Sequence, residues 1–106
     1  MAFNSAKSLY INAYENRSIV KFFGLTPQTV INVPVGTGVI AIDDLDRIWV
    51  ACADGALRRY GPDHALQATI PIGGTSPALG YCPGGIFAKG IYTVNRATGA
   101  LYKVSP

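Results

Sequence analysis

The sequence predicts an all-β protein, and three observations lead to this prediction. Short runs rich in β-branched and aromatic residues are separated by Gly, Pro, Asn and Asp along the 106 residues. Apolar positions alternate or run together, and no long stretch follows the i, i+3, i+4 spacing of an amphipathic helix. A unit of about 40 residues with four β-prone runs recurs loosely about three times, which is typical of the blades of a β-propeller.

The repeat is clearest in the second run of each unit. Residues 9–13 (LYINA), 48–52 (IWVAC) and 91–95 (IYTVN) each place an aromatic residue second in a β-prone pentad. A small turn and another β-prone run follow each pentad. Residues 54–55 (DG) and 98–99 (TG) occupy the same place in the second and third units, and both favour a hairpin because Gly tolerates a positive φ.

The turn residues bound the strands of each unit. The predicted strands of the first unit are residues 2–5, 8–14, 17–23 and 28–35, those of the second are 38–43, 47–53, 56–60 and 65–72, and those of the third are 77–82, 90–95 and 100–104. We therefore predict a single partial propeller domain over residues 1–106. Its three blades span about residues 1–36, 37–74 and 75–106.

Three blades cannot close a ring, so an open wedge would expose two apolar blade faces to water. At about 25 cal/mol per Å² of apolar surface, several hundred Å² left exposed on each face forfeits many kcal/mol. We therefore predict that homo-oligomerisation closes the ring, most simply as a head-to-tail homodimer with six blades. The alternative is that the chain is a degenerate fragment of a longer propeller.

The composition restricts the partners. A chain with 49% hydrophobic and 14% charged residues does not have the low apolarity of a disordered protein. The net charge of +3 is dispersed, and the adjacent pair Arg58 and Arg59 points to opposite faces of a strand, so we predict no nucleic-acid partner. No run approaches the roughly 20 apolar residues of a transmembrane helix, and no signal peptide is visible. We therefore predict no membrane association and a cytoplasmic protein.

The two cysteines, Cys52 and Cys82, have no second cysteine at the spacing of a metal site. We expect both to be reduced, buried, small hydrophobic residues. A disulfide between adjacent blades is the alternative.

The strongest candidates for ligand binding are the aromatic residues Tyr10, Trp49 and Tyr92, which recur once in each unit. Such residues could stack sugar rings in equivalent clefts, although aromatic residues at these positions more often form the core between blades. Asn12 and Asn95 end or interrupt equivalent strands. We predict that their amides could face the axial channel and bind a polar ligand.

The titratable residues give weaker signals. Asp43, Asp44 and Asp46 could bind a hard cation through oxygen ligands, but a polar turn whose Asp side chains accept bonds from the turn amides explains the cluster better. His64 follows Asp63 in a predicted loop and could act as a general base. No nucleophile pattern accompanies it, so we expect a solvent-exposed loop residue and predict no catalytic residue.

Several segments resemble the blade motifs of known propellers. These segments are residues 39–43 (VIAID), 47–51 (RIWVA), 57–63 (LRRYGPD), 75–77 (TSP) and 91–94 (IYTV). Through them the stretch from residue 38 to residue 93 resembles the gluconolactonase/senescence-marker family and its relatives, the streptogramin-lyase and NHL-type propellers. The resemblance implies blade architecture, because these motifs mostly encode turns and packing between blades. It does not specify an activity.

The lactonase-like members of this group hold a divalent cation on the channel axis with Glu, Asn and Asp side chains from several blades. The present sequence departs from their pattern, because residues 36–38 (GTG) lack the carboxylate of the family's Pro-Asp-Gly segment. Asp46 replaces a turn glycine, and Gly61 replaces an aspartate. The lyase type needs a His and a Glu near a metal, and the one histidine of this chain is His64.

We therefore predict a non-enzymatic binding or scaffold module with no metal ligands and no cofactor. Its partner is a second copy of the chain, and its ligand is a glycan or another small polar molecule. One alternative is a metal-dependent, lactonase- or lyase-like hydrolytic enzyme, which would require a divalent cation. The other is the degenerate fragment.

Overall fold

The computed structural model describes residues 2–13, 17–73, 79–84, 88–95 and 97–104, and these residues form eleven strands and no helix. Sheet 1 contains β1 (Ala2–Phe3), β2 (Leu9–Ala13), β3 (Ser18–Phe23) and β4 (Thr26–Asn32). Sheet 2 contains β5 (Thr37–Ile42), β6 (Ile48–Cys52), β7 (Ala56–Tyr60) and β8 (Leu66–Pro71). Sheet 3 contains β9 (Leu79–Cys82), β10 (Gly90–Val94) and β11 (Leu101–Val104). The all-β prediction is confirmed.

Each sheet is an antiparallel meander, because its strands pair in the order in which they occur along the chain. Sheets 1 and 2 have four strands, whereas sheet 3 has three within the described residues. Each sheet is built from one continuous segment, which follows from short turns joining antiparallel neighbours. The division of the chain into blades and one domain remains a prediction.

Sheet 2 lies between the other two sheets. Its face toward sheet 1 forms one core cluster, whose buried members are Tyr10, Ile19, Ile31, Val33, Ile40, Ile48, Val50, Cys52 and Tyr60. Its opposite face forms a second cluster with sheet 3, whose buried members are Trp49, Ala51, Leu57 and Ile91. All five residues of β6 are buried, since alternate side chains point to opposite faces and both faces are covered.

The sheets approach one another most closely along their first strands. The inter-sheet strand pairs in closest contact are β1 and β2 with β5, and β5 with β9. The fourth strands, β4 and β8, are not among the strands in these inter-sheet pairs. Neighbouring sheets therefore meet near their first strands, and β4 and β8 lie at the outer edges.

The turns that join the first two strands of sheets 1 and 2 have the same construction. In sheet 2, Asp43 opens the turn and the amide of Arg47 donates to its carboxylate at 3.0 Å. In sheet 1, Asn4 opens the turn and the amide of Ser8 donates to its side chain at 2.9 Å. The repeat noticed in the sequence therefore extends to the hydrogen bonds of the turns.

Two strands of sheet 1 differ from their predicted bounds by two residues or more. β1 ends at Phe3 rather than at residue 5, because Asn4 already belongs to the turn. β4 runs from Thr26 to Asn32 rather than over 28–35, because Pro34 has no N–H and the amide of Val33 donates to the Arg17 carbonyl at 2.8 Å.

Residues 75–78, which include the TSP motif and the predicted start of the third unit's first strand, lie outside the described residues. The described part of the chain contains no helix with the length and apolarity that a membrane crossing requires.

Candidate functional site

The three repeated aromatic residues occupy the same position in the three sheets. Each lies on the second strand, opposite a small residue on the first strand and a cation on the third. Tyr10 lies opposite Ala2 and Lys21, Trp49 opposite Ala41 and Arg59, and Tyr92 opposite Gly80 and Lys103. Directly opposite residues share a sheet face, so each aromatic residue shares its face with a cationic residue.

Tyr10 contacts a residue from the neighbouring sheet. Tyr10 is 3% exposed, and its hydroxyl oxygen lies 3.1 Å from Nε2 of His64. The two rings meet edge to face, with centroids 5.9 Å apart. The Lys21 ammonium lies 5.6 Å from the centre of the Tyr10 ring and 5.0 Å from that of Phe23, which is typical of a cation–π contact.

His64 is half-buried, so the expectation of a solvent-exposed loop residue is wrong. The turn after β7 holds its backbone at φ 69°, and its amide donates to the Gly61 carbonyl at 2.8 Å. This turn directs the imidazole toward Tyr10 of sheet 1. Burial lowers the pKa of His64, the nearby Lys21 ammonium lowers it further, and Asp63 opposes both effects. The environment therefore favours the neutral imidazole.

Trp49 belongs to the core between sheets 2 and 3. Its ring is fully buried, and its indole N–H donates to the Asp43 carboxylate at 2.9 Å. The Arg59 guanidinium lies 5.5 Å from the ring centre. A ligand could reach this ring only if the two sheets separated.

Tyr92 is the most accessible of the three aromatic residues. It is half-buried and points away from sheet 2, because its neighbour Ile91 belongs to the core between sheets 2 and 3. Its hydroxyl donates to the Ala88 carbonyl at 2.7 Å. Tyr92 thus occupies on sheet 3 the position that Trp49 occupies on sheet 2, but none of the sheets formed by the described residues covers it.

The two candidate amides contact the backbone of neighbouring sheets. The Asn12 amide lies 3.5 Å from the Thr37 carbonyl at the start of β5. Asn95 is buried, and its amide donates to the Ile72 carbonyl at 3.2 Å. Its side-chain oxygen also accepts a bond from the amide of Ala97 at 2.9 Å. The nitrogen and the oxygen of the Asn95 side-chain amide are therefore both engaged within the chain.

The three aspartates of the acidic cluster have different partners. Asp43 accepts bonds from the amides of Leu45 and Arg47, each at 3.0 Å, which confirms the prediction that it caps its own turn. Asp44 forms an ion pair with Lys89 of sheet 3 at 2.7 Å, and this pairing lowers the pKa of Asp44. Asp46 accepts a bond from the amide of Ser5 in sheet 1 at 2.8 Å. The turn of sheet 2 thereby connects all three sheets.

Neither Cys52 nor Cys82 forms a disulfide. Cys52 is buried, and this burial raises the pKa of its thiol. Cys82 is half-buried rather than buried, because it lies at the end of β9.

The residues that converge in space are therefore Tyr10, Lys21 and His64, of which the sequence analysis singled out Tyr10 as a binding residue. Tyr10 and His64 lie 54 positions apart, and the residues around each of them did not indicate that the two side chains would meet. The described ranges contain no group of three or more His, Cys, Asp or Glu residues that could hold a metal ion. No protein-family model matches the chain, and no curated protein shows significant sequence similarity to it.

Proposed function

We propose that this chain is a non-enzymatic binding or scaffold module whose three sheets are consecutive blades of a β-propeller, completed as a ring of six by a second copy. In blade construction it would resemble the gluconolactonase/senescence-marker, streptogramin-lyase and NHL-type propellers. The observation that carries the proposal is the unequal covering of the sheets. Sheet 2 is buried on both faces, whereas sheets 1 and 3 each have one face with no partner sheet among the described residues.

The uncovered face of sheet 1 is apolar. Tyr10 and Ile19 point toward sheet 2, so their strand neighbours point the other way. Apolar residues on this outer face include Phe3, Leu9, Ile11, Val20 and Phe22. Phe3 is 58% exposed, and the other four are half-buried. An apolar surface of this kind is typical of a site that another protein surface covers.

The uncovered face of sheet 3 has matching chemistry. Since Ile91 points toward sheet 2, Tyr92 and Val94 point outward together with their cross-strand partners Lys103 and Leu101. Leu101 is 67% exposed, and Tyr92 and Val94 are half-buried. Full burial of one such leucine or aromatic side chain contributes roughly 1.5–3 kcal/mol.

The two outer faces correspond to faces that already pack together inside the chain. Leu9 and Ile11 of sheet 1 occupy the positions of Ile48 and Val50, with which sheet 2 contacts sheet 1. Tyr92, Val94 and Leu101 of sheet 3 occupy the positions of Trp49, Ala51 and Leu57, with which sheet 2 contacts sheet 3. Sheet 3 of one copy against sheet 1 of another would therefore continue the existing packing.

A hollow beside the first turn of sheet 1 supports the same arrangement. It has a volume of about 440 Å³ and is lined by Phe3, Asn4, Ser5 and Lys7. The position equivalent to Phe3 in sheet 2 is Ile42, which packs against the core shared with sheet 1. A neighbouring sheet thus covers this position in sheet 2, and a second copy would cover it in sheet 1.

Two copies related by a two-fold axis would make both junctions identical and leave no face open. Such a ring would present a channel and clefts between blades, where propellers bind ligands. We propose a glycan or another small polar molecule as the ligand. Tyr10 and Trp49 are buried within the chain, and ring closure would also cover Tyr92, so we propose the channel rather than these aromatic rings as the ligand site.

Solution mass, measured by light scattering or sedimentation, tests ring closure. We expect twice the mass of one chain, and Leu101→Asp should yield monomers because burial of an unpaired carboxylate costs several kcal/mol. Leu25→Asp is the matched control, since Leu25 is 97% exposed in the β3–β4 turn and lies on neither outer face. A monodisperse monomer would refute ring closure, and a polydisperse, aggregating chain would favour the degenerate-fragment alternative.

A further inference from the structure

An unusual group of side chains lies at the junction of sheets 1 and 2. Tyr10 of β2, Lys21 of β3 and His64 of the β7–β8 turn meet there. Phe23, which is 50% exposed, flanks Lys21 on the outside. The group therefore combines a buried tyrosine, a half-buried lysine and a half-buried histidine in one place.

The charge of Lys21 is not compensated within the described part of the chain. The ion pairs there join Arg47 to Asp43, Arg58 to Asp54 and Lys89 to Asp44, and none includes Lys21. Instead, two aromatic rings hold the ammonium, at 5.6 Å and 5.0 Å from their centres. These rings restrict the position of the ammonium but leave its hydrogen-bond donors for another group.

The imidazole of His64 also has an unused group. Its Nε2 is engaged with the Tyr10 hydroxyl, whereas its Nδ1 has no hydrogen-bond partner among the described residues. When Tyr10 donates to Nε2, the proton of the neutral ring lies on Nδ1, which can then donate to a ligand. Asp63 is the carboxylate that raises the His64 pKa, and it accepts a bond from the amide of Ala65 at 3.2 Å.

We propose that Lys21 and His64, supported by the hydroxyl of Tyr10, form a binding site for a small oxyanion, either a carboxylate or a phosphate group. The ammonium supplies the charge, Nδ1–H supplies a directed hydrogen bond, and Tyr10 keeps the imidazole in the donating tautomer. The site rests on the proposed binding function, whose ligand class it names, but it does not depend on ring closure. It lies wholly within one copy of the chain.

The single histidine of the chain provides a direct probe. The ring resonances of His64 are followed by NMR while inorganic phosphate, and separately acetate, is added at constant ionic strength and pH. We expect a saturable shift with at least one of the two anions and an upward shift of the His64 pKa on binding, because a bound anion stabilises the imidazolium form. Saturation by phosphate alone indicates phosphate ligands, and saturation by acetate alone indicates carboxylates.

Variants of Lys21 test the geometry. Lys21→Met should weaken binding tenfold or more, which corresponds to the loss of one charge-assisted contact, whereas Lys21→Arg should retain it. Arg17→Met is the matched control, because it removes the same charge from the β2–β3 turn at the opposite end of sheet 1 and should leave the affinity within twofold. If Lys21→Met does not fold, the titrations of the wild type and of Lys21→Arg still show whether the anion binds saturably and whether a cation at position 21 is sufficient.

The proposal is overturned if neither anion produces a saturable shift, or if Arg17→Met weakens binding as much as Lys21→Met does. The second result would indicate general attraction to a positively charged chain. These outcomes are separable from those for ring closure. A monomer that binds the anion would refute the ring alone, and a dimer whose His64 resonances do not respond would refute this site alone.

Discussion

The carboxylate of Asp43 is the most informative position at which to perturb the fold. Its side chain is fully buried and accepts four hydrogen bonds. Two come from backbone amides of its own turn, one from the guanidinium of Arg47 at 2.7 Å, and one from the indole of Trp49 at 2.9 Å. This carboxylate therefore links the β5–β6 turn to the core between sheets 2 and 3.

We expect Asp43→Ala to destabilise the fold by about 3–5 kcal/mol. Hydrogen bonds to a charged group contribute roughly 1.5–3 kcal/mol each, and a buried donor left without a partner costs about 1–3 kcal/mol. The desolvation of the buried carboxylate offsets part of this sum in the wild type, and breaking a buried pair typically costs about 3–5 kcal/mol. Loss of 3–5 kcal/mol would lower Tm by roughly 10–20 °C for a domain of this size.

Urea denaturation followed by the fluorescence of the single tryptophan, Trp49, measures this change. Asp63→Ala is the control, because Asp63 is exposed and accepts one bond, from the amide of Ala65. The control should lose no more than about 1 kcal/mol. All variants are compared at one protein concentration, since association would alter the apparent stability. If the two variants differed by less than about 1 kcal/mol, the reasoning on the Asp43 network would be refuted.

Asp54→Asn should lower the free energy of unfolding by only about 1 kcal/mol at pH 7, because Asp54 is partly exposed and solvent screens its ion pair with Arg58. The variant should also lose less stability in acid than the wild type does. Arg58 lowers the pKa of Asp54 in the folded protein, so the ion pair contributes its full stability above the unfolded pKa of about 3.9. This contribution is lost as the pH falls through the folded pKa of Asp54. Identical acid-denaturation profiles of the wild type and Asp54→Asn would contradict the pairing. Gly55→Ala should cost about 1–2 kcal/mol in thermal unfolding, and Gly55→Asn clearly less, because φ is 82° there. In native buffer, a thiol reagent should modify Cys82 before Cys52, because Cys52 is buried and its burial raises the pKa of its thiol. Peptide mass mapping measures the order of modification. The reverse order would contradict the packing described for the two cysteines.

The strands and most turns of this chain could be predicted from short stretches of sequence. β7 begins and ends at the predicted residues, 56 and 60, and the Asp54–Gly55 turn forms where the hairpin dipeptide indicated. The equivalence of Tyr10, Trp49 and Tyr92 could be predicted as well, because each stands second in a similar pentad. Local backbone preferences and alternation depend on neighbouring residues, and those are visible in the sequence.

The burial of the candidate site residues was decided by the stacking of the sheets. Alternation places Trp49 and Tyr92 on equivalent faces, but it does not say that sheet 3 covers Trp49 and that Tyr92 remains accessible. The approach of His64 to Tyr10 likewise depends on how sheet 2 packs against sheet 1. Contacts between distant segments form only when apolar faces come together, and the pattern within one strand does not specify which face meets which neighbour.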